Sequence, residues 1–223
     1  MATAVVAAFA VVADGTFKIN AKKDDVYKYK VTGSFTVMGQ DVKVTFNNTE
    51  KIKEVTEKGY ITENKQDSMK IDLGGQEMDG PEGTSSTEYA SDGMVTKVDD
   101  PTGEDPAGAY RFAVASVIIR PGKEVKIGET WTKEFAANKE KGLPKAKATY
   151  KYVKDEEVLG FKTALVEFDY SEQEGDLPAG NKGKVWIDPV TGFMVKMDSE
   201  WKNMPIGGAP EPISGKAVIE RIK

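Results

Sequence analysis

The chain has 223 residues, 39% of them hydrophobic, with 31 Lys plus Arg against 36 Asp plus Glu and a net charge of −5. That apolar share can fill a core and argues against wholesale disorder, while the mildly acidic balance lacks the basic footprint of a nucleic-acid binder. Histidine and cysteine are both absent, which removes Ser-His-Asp and Cys-His nucleophiles, thiol redox chemistry, c-type haem attachment and the usual zinc and blue-copper sites.

The N-terminus reads as a targeting element. Ala2–Ala13 is uncharged and apolar apart from Thr3. It is shorter than the about 20 residues a membrane-spanning helix needs, but it has the length of a signal-peptide hydrophobic region. Val11 and Ala13 fit a small-residue cleavage site before Asp14, although no Lys or Arg precedes Lys18. Residues 1–13 are therefore expected to act as an export signal, which places the mature chain in the periplasm or outside the cell.

Beyond Asp14 the governing pattern is alternation at every second residue, the mark of half-buried strands. In Val26–Val37, Tyr27, Tyr29, Val31, Phe35 and Val37 take one face and Lys28, Lys30, Thr32 and Ser34 the other. Met38–Asp41 reads as a turn, and Val42, Val44 and Phe46 as the returning strand, extended through Glu50–Val55. After a second turn at Glu57–Gly59, Tyr60–Leu73 reads as a third strand with Ile61, Met69, Ile71 and Leu73 on one face and a polar middle (Glu63, Lys65, Asp67) that suggests a bulge, an exposed stretch or a break. Gly74–Ser86 is expected to be loop. Thr87–Ala90 and Met94–Val98 are predicted to pair across Ser91-Asp92-Gly93, since Asp-Gly accepts positive φ.

Asp99–Gly108, with two Asp-Pro pairs, reads as a linker. Ala109–Ile119 fits a buried strand or a short helix; a helix grading into extended chain before Pro121 is the preferred reading. Alternation returns in Ala146–Val153, Phe161–Tyr170, Gly180–Ile187, Phe193–Met197 with Trp201, and the closing strand Ile213–Ile222. Asp188–Gly192 fits a tight turn. Tyr27-Lys28-Tyr29 and Tyr150-Lys151-Tyr152 open two similar meanders.

Little in the chain reads as catalytic. Asp99, Asp100, Glu104 and Asp105 cluster in one loop but lack the spacing of a calcium loop, and a solvated acidic turn is the better reading. Glu167 and Asp169 share a strand face and would be the pair for a carboxylate hydrolase, but nothing else in the chain supports that, and salt-bridged edge residues facing Lys neighbours are the better reading. No nucleotide-binding glycine motif occurs, and Gly180–Lys184 reads as a strand entry before an anion site. Trp131, Trp186 and Trp201 could line a platform for sugars or an apolar cavity, or simply fill a core.

Two segments carry a family resemblance. Pro121-Gly122-Lys123-Glu124-Val125-Lys126-Ile127-Gly128-Glu129-Thr130-Trp131 resembles a strand-entry signature of exported bacterial β proteins, and Gly183-Lys184-Val185-Trp186-Ile187-Asp188-Pro189-Val190-Thr191-Gly192 resembles a hairpin of the same group. Such proteins are similar to the lipoprotein-carrier (LolA/LolB-like) superfamily. The resemblance implies an incomplete antiparallel barrel closed by helices; its motifs are architectural and assign no ligand residue.

The fold class expected is mainly β: a large antiparallel curved sheet or incomplete β-barrel of about ten to eleven strands with one or two short helices. Residues 14–223 are read as one half-barrel domain, with meanders 14–98 and 121–223 joined by 99–120. A strongly curved open sheet leaves a concave apolar face that must be filled by side chains, capped by a helix or occupied by a ligand. The lining expected for it is Tyr27, Tyr29, Val31, Phe35, Val42, Val44, Phe46, Tyr150, Tyr152, Val185 and Ile187. The function expected is that of an exported, non-enzymatic protein holding an apolar or lipid-like ligand such as an acyl chain, lipid or lipopeptide. The alternative is a structural or interaction module of the cell envelope with a filled core. No catalytic residue, metal or cofactor is assigned.

Overall fold

The alternating faces become strands in the computed structural model, which describes residues 15–99, 105–206 and 211–222. The export-signal reading of residues 1–13 lies outside these. β1 (Val26–Val37) buries Tyr27, Tyr29, Val31 and Phe35 and exposes Lys28 and Lys30. It turns through Met38 and Gly39, both at positive φ (49° and 75°), the backbone a two-residue hairpin requires. β2 (Gln40–Thr56) returns and pairs with β3 (Gly59–Leu73).

The expected single face of β3 is corrected. Ser68 sits at φ 55° within a register shift between β2 and β3. The bulge adds one residue and inverts the sides. Tyr60 and Thr62 are therefore buried near its start, Thr62 opposite the fully buried Ile52, and Ile61 points the other way from Ile71.

The expected loop at Gly74–Ser86 is also corrected. Gly74 and Gly75 both adopt positive φ and turn the chain into β4 (Gln76–Asp79), which pairs with the end of β3. β5 (Gly83–Ala90) then begins inside the expected loop and pairs with β3 and with β6 (Val95–Asp99). β4 is wholly exposed, so it carries no apolar alternation to betray it.

α1 (Pro106–Ser116) starts three residues before the expected helix, within the linker. Pro106 is preorganised for the first turn, and the Asp105 side chain accepts from the Gly108 N–H at 2.8 Å. The β-branched Val117-Ile118-Ile119 run leaves the helix as extended chain, as expected. After it come β7 (Thr130–Phe135), a 3-10 turn at Lys139–Lys141, β8 (Ala146–Val158), β9 (Phe161–Glu172), β10 (Gly180–Ile187), β11 (Met194–Met204) and β12 (Ile213–Ile222).

Among the described residues twelve strands form one antiparallel sheet in the order β6-β5-β3-β2-β1-β12-β11-β10-β9-β8-β7, with β4 on β3. The last strand is the seam: β12 pairs with β1 on one side and β11 on the other. Laid flat at ~4.8 Å per strand, the path would hold its edges ~48 Å apart. Instead Lys133 of β7 meets Asp92 in the β5–β6 turn at 3.4 Å. Tyr110 of α1 donates to the Val95 carbonyl of β6 at 3.1 Å, while Asn181 of β10 donates to the Ala115 carbonyl of α1 at 3.0 Å. The sheet is thus an incomplete barrel, curled around α1, whose edges do not pair among the described residues.

Two clusters fill the concave side. The larger joins Tyr110, Val114, Ala115, Ile118 and Ile119 to Trp131, Phe135, Tyr150, Tyr152, Val166 and Val185. Trp131 stacks on Tyr150 at 5.3 Å and donates to the Ile119 carbonyl at 2.8 Å. The smaller contains Tyr27, Tyr29, Ile52, Tyr60 and Phe193.

Candidate functional site

Between α1 and the sheet a cavity of about 150 Å³ remains. One wall is the end of α1 and the extended crossover: Ser116, Val117, Ile118 and Arg120. The facing wall comes from six strands. β1 supplies Tyr29, β2 Glu50, β3 Tyr60, β5 Tyr89, and β10 Val185 and Ile187. Met194 and Met197 of β11, with Ile19, Gly93 and Phe193, complete it.

The polar groups here are placed by strand register. Glu50 pairs with Tyr27 on β1 and with Asn64 on β3, and shares the inward parity of Val42, Val44, Phe46 and Ile52. Burial pushes its carboxyl up to about 7, with Arg221 pulling the other way. Tyr29 donates to the Met194 carbonyl at 3.3 Å, and Tyr60 stacks on Tyr89 at 4.9 Å. Burial raises the pKa of all three phenols, so they stay neutral donors.

Arg120 reaches in from the crossover. Its guanidinium donates to the carbonyls of Ile118, at 2.9 Å, and Gly192. Its Nε is buried without a partner, and so is the Ser116 Oγ on the same wall. Burial lowers the Arg120 pKa, opposed by Tyr60 and Tyr150.

The expected lining residues divide into three groups. Tyr29, Val185 and Ile187 border the cavity, and Tyr27 lies behind it, stacked on Phe193 at 4.3 Å. Val31, Phe35, Val42, Val44 and Phe46 continue the inward face of β1 and β2 away from the cavity. Phe35 stacks on Trp201 at 5.0 Å, and Val44 and Phe46 keep part of their surface accessible. Tyr150 and Tyr152 belong to the packed core, Tyr152 edge-on to Phe17 at 5.0 Å. Sequence reasoning missed Glu50 and Arg120. The signal for Glu50 was its parity: a carboxylate in register with inward apolar residues.

The three tryptophans do not form one platform. Trp131 is in the core and Trp201 lies on Phe35, whereas Trp186 faces outward, donating to Glu156 at 2.8 Å beneath Lys196. Glu167 and Asp169 also face outward, on a hollow of about 560 Å³ whose rim includes Lys151, Lys182, Lys184, Glu200 and Lys216. Lys184 faces Glu167 at 3.9 Å and Lys182 faces Glu200 at 3.6 Å, so this surface is a ladder of exposed ion pairs. Among the described residues no group of three or more His, Cys, Asp or Glu side chains could hold a metal ion, and no helix is long and apolar enough to cross a membrane. Asp100 and Glu104 lie outside those residues.

No family model matches the chain, and no curated protein does. Among solved structures, one described for lipid–protein interactions in lipovitellin matches 91% of this chain at 13% identity with a TM-score of 0.51. The chain spans 25% of the length of that lipovitellin chain. A Bacteroides fragilis protein described as exported, with a YmcC-like fold, matches 93% of this chain and 99% of its own at 12% identity and a TM-score of 0.34. The hypothetical lipoprotein YmcC from Escherichia coli matches 86% of each chain at 11% identity and a TM-score of 0.31. At these identities the likeness is one of fold. The incomplete antiparallel barrel that the resemblance implied is the architecture this chain has; where closure by helices was implied, the described residues hold one α-helix and a 3-10 turn.

Proposed function

We propose that this chain is a non-enzymatic binding protein of the periplasm or extracellular space that holds an apolar or lipid-like ligand, such as an acyl chain, against the concave face of its half-barrel. One observation carries the reading. Val31 pairs with Phe46 and with Ile219, and Val44 pairs with Ile71, so four strands place a continuous apolar band inside the shell. Val31 is buried, but Phe46, Val44, Ile71 and Ile219 each stay partly accessible. An inward apolar face left incompletely covered is a ligand surface by default. A fold likeness to a lipovitellin structure described for its lipid–protein interactions adds support. Titration with a fluorescent acyl chain tests it: saturable binding is expected, weakened at least about tenfold by Phe46→Asp, a change equivalent to about 1.4 kcal/mol.

A second reading is favoured by the packing of α1. The cavity beside α1, about 150 Å³, is below the ~300 Å³ of ordinary small-molecule pockets. A cell-envelope interaction module with a filled core would bind no acyl chain while remaining folded. That outcome of the titration replaces the first reading with the second.

A further inference from the structure

We infer that the cavity beside Arg120 receives the carboxylate head of an amphiphile whose apolar tail lies along the Val31–Phe46 band. This rests on the binding reading above and specifies its ligand class.

The chain contains three arginines. Arg111 is paired with Glu172, and Arg221 meets Asp188 at 3.7 Å and covers the Tyr27 ring at 4.9 Å. Arg120 has no carboxylate partner among the described residues; its two hydrogen bonds go to neutral carbonyls. A buried cation without a counter-ion is unfavourable unless an anion arrives. Two donors on this wall, Arg120 Nε and Ser116 Oγ, are buried with no acceptor. They sit four residues apart on one segment and border the same cavity. An anion placed there supplies both the missing charge and the missing acceptors.

The size and the opposite wall select the anion. A cavity of about 150 Å³ holds a small head group and not a whole acyl chain. Glu50 on the facing wall would repel a phosphate dianion. A carboxylate carries a single charge, and a Glu50 carboxyl held near neutrality by burial can donate a proton toward it. The tail has a path: Val31 is the next inward residue of β1 after Tyr29, and Phe46 lies two inward positions from Glu50 on β2.

Competition against a fluorescent acyl probe, using the full chain and dodecanoate, dodecanol and dodecyl phosphate, tests the assignment. Dodecanoate is expected to bind at least about tenfold more tightly than dodecanol. Arg120→Gln is expected to erase that preference. Because Arg120 also holds two carbonyls, Ser116→Ala is the second variant: its hydroxyl has no partner to lose, and it should reduce the preference with no change in melting temperature. If no probe binds, the binding reading itself fails. If acid and alcohol bind equally, or both variants keep the preference, the binding reading stands and the head-group assignment is overturned. If the phosphate outcompetes dodecanoate, the anion is not a carboxylate.

Discussion

A titratable group inside a β shell leaves its mark on the pH dependence of stability, and Glu50 is the clearest case. Burial raises its carboxyl from 4.5 to about 7 in the folded protein, more than Arg221 can offset. The folded state therefore binds this proton more tightly than the unfolded chain. The associated stability is fully present below pH 4.5 and is lost as pH rises through about 7. The loss is at most about 3 kcal/mol, and less to the extent that water reaches the carboxyl. Glu50→Gln stays neutral throughout. Its urea midpoint is expected to fall less than that of the native chain between about pH 5 and about pH 8. Parallel pH profiles for the two proteins would show that Glu50 is not the titrating group.

At the scale of the element, turns fix what the strands only suggest. Asp188 organises its hairpin by accepting from the Val190 N–H at 2.9 Å and the Thr191 hydroxyl at 2.9 Å, and the Gly192 N–H closes back on the Asp188 carbonyl at 2.8 Å. Gly192 sits at φ 76°, and a Cβ there would fall 2.1 Å from the Lys18 carbonyl oxygen. The same turn holds the N-terminal segment, since Asn20 donates to the carbonyls of Thr191 and Val190. Gly192→Ala should destabilise the protein by more than about 1 kcal/mol, through left-handed strain and loss of that dock. Phe17, stacked at 5.9 Å on Trp131, would be released with it, so tryptophan emission should shift before global unfolding. An unchanged melting temperature would mean the turn adapts freely.

This hairpin, like β1 and its return, was legible in the sequence because turn chemistry and alternation agree there. β4 was not, because an exposed strand has no apolar rhythm. The face of β3 was misread for a different reason. The polar middle suggests a bulge as one of its readings, but the place of that bulge, at Ser68, depends on the partner strand, and alternation counted along one chain does not say where the sides invert. The cavity was half legible. Tyr29, Val185 and Ile187 follow from parity alone, whereas Arg120 enters from a crossover whose path over the sheet is decided by tertiary packing.

The whole molecule hangs on its last strand. A chain with two meanders could form two separate sheets, and nothing in the alternation of either half forbids it. β12 joins them by pairing Lys28–Thr36 of β1 with residues 214–222 on one side and Lys196–Trp201 of β11 on the other. It also supplies Ile219 to the apolar band and Arg221 to the wall behind the cavity. Remove residues 213–223 and β1 and β11 become neighbouring unpaired edges, each long, regular and partly apolar. Such edges recruit other chains. The truncated protein is therefore expected to lose its cooperative thermal transition and to self-associate in size-exclusion chromatography. A synthetic peptide of residues 213–222 added in trans is expected to restore a monomer with a single transition, because the vacant edges present the same hydrogen-bond ladder to any strand of that sequence. A truncated chain that stayed monomeric and melted within a few degrees of the intact one would show that the two meanders hold together through α1 and the core alone.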